Sequence, residues 1–393
     1  MDLRYLIPFF DPKVQTWAIE ARILRWLTFL WLCLGLVVLF SASYPSGTTE
    51  YGDGLYFFKR QLIWVLVGMV GFNVIVYTRI SILLQTAKVG VIVILMLLIL
   101  TLIPGVGTTI NGATRWISIG SVVIQPSELM KPFLVLQAAY LFSKWNRLSW
   151  VVRIIWLLVF CLVLGSILLQ PNLSTTALSG LILWFIALAA GLPYFYLGGI
   201  ALAGLLLATI SVNINDYQRQ RIMSFTNPWA DPMGDGYQLI QSLLAVGSGG
   251  VWGSGLGLSQ QKLHFLPIQY SDFIFSVYAE EFGFVGGLLL LLLLAIYSII
   301  ALRVAFKARL MEHQLVAIGV ITALVGQSLI NIAVSTGALP TTGLPFPMFS
   351  YGGSSMVGSL LLAGLLVRVA REENQAEVII LNQRRSQRRR YVR

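Results

Sequence analysis

Residues 274–302 read IFSVYAEEFGFVGGLLLLLLLAIYSIIAL. Glu280 and Glu281 are the only charges in the stretch, and it exceeds the roughly 20 apolar residues that cross a bilayer as a helix. Nine further apolar runs flank it: 24–43, 61–77, 86–103, 126–142, 151–169, 174–191, 194–212, 314–337 and 351–369. Composition agrees, with 57% of residues hydrophobic and 11% charged, too little charge to clothe a soluble domain. The predicted fold class is an all-α integral membrane protein of about ten transmembrane helices. A large Gly-rich extracytoplasmic loop, 213–273, joins helices seven and eight.

The organisation that follows is a cytoplasmic N-terminal segment 1–23, a polytopic domain 24–371 and a basic cytoplasmic tail 372–393. Gly191-Leu192-Pro193 predicts a tight turn between two antiparallel helices. Ser41-Ala42-Ser43 has the small residues of a cleavage site. The preceding segment is long and carries Asp2, Asp11 and Glu20, so the first helix is expected to stay uncleaved. Cys33 and Cys161 sit in apolar runs and predict no disulfide framework.

An even number of spans puts both ends on one side. Lys59, Arg60, Arg115, Lys131, Arg219, Arg221 and Lys262 fall on the other side, and all remaining Lys and Arg lie on the terminal side. The positive-inside rule makes both termini cytoplasmic. The net charge of +11 is thereby explained by topology, and nucleic-acid binding loses its motivation. The tail containing Arg384, Arg385, Arg388, Arg389 and Arg390 is predicted to be disordered, serving as a topology anchor or meeting anionic headgroups.

The chain has no Walker A sequence, no zinc-spaced Cys or His and no Gly-x-Ser-x-Gly, and its two histidines are His264 and His313. Catalysis, if present, falls to carboxylates, Arg and Lys. Three Gly- and Pro-rich outer segments, 104–125, 213–273 and 338–350, suggest one composite site. Asp272 suits both an N-cap and a general base, with Phe273 and Phe275 desolvating it. Glu280 and Glu281 fit an ion pair or hydrogen bond to a neighbouring helix. Glu128 and Lys131, three apart on one helix face, read as a local salt bridge or as a polar groove wall with Lys131 near a phosphate. Arg115, Arg219 and Arg221 read as interface anchors or as bidentate phosphate ligands. Together they fit an anionic, lipid-linked substrate lying half in the bilayer.

Long motifs surround these residues: Asn111-Gly112-Ala113-Thr114-Arg115-Trp116-Ile117, Gln125-Pro126-Ser127-Glu128-Leu129-Met130-Lys131, Asn227-Pro228-Trp229-Ala230-Asp231-Pro232, Ser271-Asp272-Phe273-Ile274-Phe275 with Glu280-Glu281-Phe282-Gly283, and Thr342-Gly343-Leu344-Pro345 leading to Ser350-Tyr351-Gly352-Gly353. In them the sequence resembles the SEDS family of shape, elongation, division and sporulation proteins, from the first helix through the tenth. Asn227-Pro228-Trp229 and the run from Trp252 to Leu263 resemble the FtsW division branch rather than the RodA elongation branch.

The resemblance implies a peptidoglycan glycosyltransferase in the bacterial plasma membrane, at the division septum, polymerising lipid II (a disaccharide-pentapeptide on undecaprenyl pyrophosphate). The family's essential aspartate falls on Asp272, which would act as general base with inversion at MurNAc C1. The polar groove residues fall on Arg115, Glu128, Lys131, Arg219 and Arg221. No cofactor is called for; a divalent cation, Mg or Mn, is compatible. The expected partners are a class B penicillin-binding transpeptidase, which would supply crosslinking, other division proteins and membrane lipid. The competing classes are a lipid II flippase and a non-catalytic division scaffold. Gly283 and Gly287 form a small-xxx-small face that would suit a scaffold or internal packing. Two departures stand out. Ile268-Gln269-Tyr270 replaces the family's Glu-x-His, and Asn172 follows Gln170-Pro171 where an Asp is usual.

Overall fold

The computed structural model describes residues 17–391 except 111, 112 and 121, and the side chains of that range except those of 110 and 373–391. Most of the 1–23 segment, Asn111-Gly112 of the first motif and the arginine side chains of the tail therefore lie outside the described residues.

Each of the ten expected spans falls on a helix: α1 (Ile19–Tyr51), α2 (Tyr56–Tyr77), α3 (Ile80–Leu100), α4 (Pro126–Ser143), α5 (Trp150–Leu169), α6 (Leu173–Ala189), α7 (Tyr194–Ile214), α10 (Ile274–Lys307), α11 with α12 (Met311–Ile321, Gln327–Ser335) and α13 (Gly353–Tyr391). Eight are long and apolar enough to cross a membrane; α6 is shorter, and α4 carries Glu128 and Lys131. A π-helical segment, Thr322–Gly326, joins α11 to α12. Gly191, at φ 76°, makes the expected tight turn from α6 into α7. Pro126 opens α4 at its first turn, where its missing N–H costs nothing.

Between α3 and α4 the chain folds into three antiparallel strands, β1 (Thr108–Ile110), β2 (Ala113–Ile119) and β3 (Val122–Ile124). The 213–273 loop is more ordered than its glycine content suggests, because it contains α8 (Asp216–Thr226) and α9 (Tyr237–Ser248). The tail also departs from the reading of its sequence. Backbone helix runs on through it to Tyr391, since its Glu, Gln and Arg are good helix formers continuing an established helix.

The core centres on α13. Of its membrane-length window 83% is buried, against 6% for α7 at the periphery. α13 packs on α2, α4, α1 and α11. Close approach relies on small residues: a Cβ on Gly68 or Gly364 would meet Leu360 at 2.6 Å or the Phe72 carbonyl at 3.1 Å.

α10 is broken at Gly283, whose φ of 66° and ψ of −166° suit glycine alone. The break frees backbone groups, and segment 249–255 pairs with them. Ser254 and Gly255 amides donate to the Glu280 and Glu281 carbonyls at 2.9 and 3.0 Å, and the Phe284 and Val285 amides donate to Gly250 and Val251 at 2.9 and 3.1 Å. The Gly283 face is therefore spent on internal packing, with a Cβ there only 2.3 Å from the Gly253 nitrogen, while Gly287 meets nothing within 4 Å. Gly283→Ala is expected to cost roughly 2–4 kcal/mol through strain and overpacking. Gly287→Ala should be near neutral; thermal unfolding of both variants in detergent checks the contrast.

Candidate active site

Asp272 lies where the 266–273 turn enters α10. It does not cap the helix, as its sequence position suggests. Phe273 takes the cap position with its ring in the core, which leaves the Asp272 carboxylate beyond the helix end. Oδ1 accepts a hydrogen bond from Ser271 Oγ at 3.1 Å.

The backbone around it is pinned by three hydrogen bonds from two elements, the segment before α13 and α12. The Tyr270 carbonyl accepts from the Tyr351 amide at 2.8 Å, the Ser271 carbonyl from Ser350 Oγ at 2.5 Å, and the Asp272 carbonyl from Asn331 Nδ2 at 2.8 Å. Asn331 also donates to the Leu344 carbonyl at 2.8 Å. One turn earlier on α12, Gln327 Nε2 donates to the Pro345 carbonyl at 2.6 Å. Gln61, fully buried on α2, donates to the Ser350 carbonyl and accepts from the Gly352 amide. The Thr342–Gly353 segment is thus fastened to the bundle by amide side chains and delivers Gly343 to the carboxylate. A Cβ at Gly343 would lie 3.5 Å from Asp272 Oδ2 and 3.6 Å from Arg221 Nη1, at a φ of 68°. Glycine keeps the space between acid and cation open.

Two of the three candidate arginines reach this place. Arg115, on β2, is 8% exposed; its Nε and Nη2 donate to the carbonyls of Gln170 and Pro171 at 3.1 and 2.5 Å. Burial lowers its pKa and nearby Arg221 adds to the effect, while Tyr217 and Asp272 oppose it. Arg221, half-buried on α8, donates to the Thr341 carbonyl at 3.2 Å and stands over the Tyr217 ring, 4.5 Å from its centroid. Burial pushes the Asp272 carboxyl above the usual aspartate range, against the pull of Arg221, Ser271 and Arg115. Arg219 is not brought in: it points to solvent beside Asp216, at 3.8 Å.

The other acids have partners of their own. Glu128 and Lys131 form a buried ion pair at 2.7 Å, with Lys131 also donating to Gln327 Oε1 at 2.7 Å. Lys131 is therefore linked to the Thr342–Gly353 segment through Gln327. Glu281 pairs with Lys262 at 2.7 Å and accepts from Ser41 of α1 at 2.6 Å. Glu280 accepts from Ser259 and from the Gln260 and Gln261 amides. Both acids hold the 254–262 segment in place, matching the expected structural role.

The two departures acquire reasons. Asn172 caps α6, accepting from the Thr175 amide at 3.3 Å, which the usual Asp would do equally well. Tyr270 stacks on Phe57 at 4.5 Å; burial pushes its pKa up to about 12, so it cannot relay a proton as an imidazole would near neutrality. Gln269 is buried and donates to Ser46 at 2.7 Å. The Asn227–Pro232 motif forms a turn in which Asp231 accepts from the Gly234 and Asp235 amides, a structural duty. The residues do not fit a protein-held divalent ion. The carboxylate at the centre faces two guanidiniums, and among the described residues no three His, Cys, Asp or Glu side chains come together.

Sequence reasoning missed Tyr217, Gln327, Asn331 and Gly343 as parts of this place. The signal for Gln327 and Asn331 was present, since amides four residues apart in an apolar helix share a face and need partners.

Residues 21–375 match the model of the FtsW, RodA and SpoVE cell cycle protein family. The chain is 56% identical over 379 residues to a probable peptidoglycan glycosyltransferase FtsW of Synechocystis sp., covering 96% of each. It is 37% identical to the stage V sporulation protein E of Bacillus subtilis, covering 88% of this chain and 95% of the relative. A chain solved in a study of how a peptidoglycan synthase complex coordinates polymerization and crosslinking superposes with a TM-score of 0.71 at 30% identity, over 89% of this chain and 97% of that one. The rod shape determining protein RodA of Thermus thermophilus gives 0.65 at 27% identity, over 89% and 96%.

The buried Glu128–Lys131 pair separates bracing from substrate binding. Glu128→Gln strands a buried cation and is expected to cost about 3–5 kcal/mol, and adding Lys131→Met should restore most of it. Thermal unfolding of the single and double variants measures this.

Proposed function

This chain belongs to the FtsW, RodA and SpoVE (SEDS) family, and from that premise we propose that it polymerises lipid II into glycan strands with Asp272 as the general base. It is a peptidoglycan glycosyltransferase of the FtsW-like branch and a multi-pass membrane protein. The observation that carries the assignment of the site is the half-buried Asp272 carboxylate with Arg115 and Arg221 nearby and the gap held open at Gly343.

In this reading the GlcNAc 4-hydroxyl of lipid II gives its proton to Asp272 and attacks MurNAc C1 of the growing strand. The C1–oxygen bond to undecaprenyl pyrophosphate breaks, and the configuration inverts from α to β. One base and no covalent intermediate suffice. The raised pKa makes Asp272 a stronger base than an exposed aspartate, and Arg115 with Arg221 offsets charge gathering on the leaving diphosphate. Glu128 and Lys131 brace the Thr342–Gly353 wall through Gln327, and Arg219 stays at the rim. No step is routed through Mg or Mn.

The distribution of Lys and Arg supports cytoplasmic termini and, with them, an Asp272 that faces the outer side of the membrane, where lipid II would be polymerised. The FtsW-like branch supports work at the division septum beside a class B penicillin-binding transpeptidase.

Purified protein with that partner is expected to polymerise lipid II, and folded Asp272→Ala to make none. Equal polymer from both would remove Asp272 as base. The pH profile carries a second expectation. A base must be ionised, so kcat/KM should rise with pH through a limb above the ordinary aspartate pKa of about 4. Arg221→Gln removes a cation that lowers that pKa, so the limb should move to higher pH.

A further inference from the structure

We propose that a ladder of aromatic rings beside Asp272, ending on the exposed Tyr51, is a binding platform for the sugar rings of the glycan strand. The proposal rests on the reading of the site given above and deepens it by giving the product a place to lie.

The ladder is continuous. Tyr270, two residues before Asp272, stacks on Phe57 of α2 with ring centroids 4.5 Å apart. Tyr351, whose amide holds the Tyr270 carbonyl, meets Phe57 edge-on at 5.0 Å. Phe57 in turn stands edge-on to Tyr51 at 5.5 Å, and Tyr51 lies flat on Tyr56 at 3.6 Å. Arg60 stands over Tyr56, 4.7 Å from its centroid. Phe57 is the buried rung; Tyr270, Tyr351 and Tyr56 are half-buried, and Tyr51 is 51% exposed. The corner between α1 and α2 that carries these rings is well fastened. Gly52 ends α1 in the left-handed conformation, and Asp53 accepts from the Leu55 amide at 2.9 Å and from Lys59 at 2.8 Å. A preformed surface of this kind loses little freedom when a ligand settles on it.

Position and charge select the occupant. The apolar run of α1 ends near residue 43, and the helix continues through Ser46, Thr48, Thr49 and Glu50 to Tyr51. At 1.5 Å per residue Tyr51 lies about 12 Å beyond that run, past the level of acyl chains, so its ring is not a lipid anchor. Glu50 and Asp53 are matched by Lys59 and Arg60, so this corner has no surplus charge to attract a phosphate. A rigid aromatic surface without net charge, contiguous with the Asp272 turn, suits a neutral sugar. A pyranose presents C–H groups on its flat face, and their positive ends meet the negative face of an aromatic ring while the hydroxyls stay in water. The strand grows at Asp272, so its own sugars are the ligand delivered there. Tyr270, part of the departure at Ile268-Gln269-Tyr270, becomes the rung that joins the platform to the acid.

The test uses the full chain with its penicillin-binding partner, in wild type, Tyr51→Leu and Tyr51→Trp, with chitotetraose as the neutral sugar probe. Tyr51→Leu keeps an apolar surface and removes the ring. Calorimetry is expected to show its dissociation constant for chitotetraose raised roughly tenfold. Polymer made by Tyr51→Leu from labelled lipid II should also be shorter, because strands leave sooner. Tyr51→Trp restores an aromatic face and should bring binding back to within about twofold of wild type, with polymer length restored. Chitotetraose binding that is absent from wild type, or unchanged in folded Tyr51→Leu, overturns the proposal. If Tyr51→Leu keeps its sugar binding but loses the penicillin-binding partner, the surface is a protein interface and the proposal also falls. Asp272→Ala keeps the two readings apart, since it should bind chitotetraose as wild type does while making no polymer. Tyr51-dependent binding in a wild type that makes no polymer would uphold the platform and sink the enzymatic reading alone.

Discussion

An amide or carbonyl left unpaired in an apolar surround costs several kcal/mol, and the loops around Asp272 sit against the end of an apolar bundle. Their backbone is affordable there because spanning helices supply the missing partners from their side chains. Gln61 of α2, Gln327 and Asn331 of α12 and Glu280 of α10 each reach into a loop and bind its main chain. Helix is thus used twice, first to cross the bilayer with its own hydrogen bonds closed, then to lend polar tips to chain that cannot close its own. The break at Gly283 applies the same rule within a helix, where the carbonyls and amides released by the kink are taken up by residues 250–255.

This support governs the electrostatics of the site. A carboxylate free to turn toward water would titrate like any aspartate. Asp272 is fixed by the contacts its own and its neighbours' carbonyls make, half-buried, and still within the field of two cations. Desolvation and attraction push its proton affinity in opposite directions, and desolvation prevails. Basicity and nearness to positive charge are usually exclusive; here both hold because the arginines direct donors to the carbonyls of Gln170, Pro171 and Thr341.

Much of this was legible in the sequence. The spans announce themselves as apolar runs, and Glu128 with Lys131 is visible as a pair at i, i+3. Asp272 stood out as an acid at a helix entry, although its capping role did not survive the turn that precedes the helix. What sequence could not supply was tertiary: which arginine turns inward depends on α8 meeting the Thr341 segment, so Arg219 and Arg221 look alike in sequence and differ in space. The helices α8 and α9 were hidden by counting glycines in their loop instead of following periodicity within it. Gln327 and Asn331 stand in an apolar run where sequence reading did not single them out, though polar groups in such a run seldom travel alone.

The central position of α13 bears on how the protein is made. The helix that fills the middle of the bundle is the last of those described to leave the ribosome, while its main neighbour α2 is among the first. At roughly 5–20 residues per second, α2 waits on the order of tens of seconds in the bilayer before that neighbour exists. Throughout the wait Gln61 has neither the Ser350 carbonyl nor the Gly352 amide to bind. The nascent bundle is then an open ring with a polar spot on its inner wall, a form that membrane quality control can recognise. Premature termination anywhere before α13 leaves the protein permanently in that form.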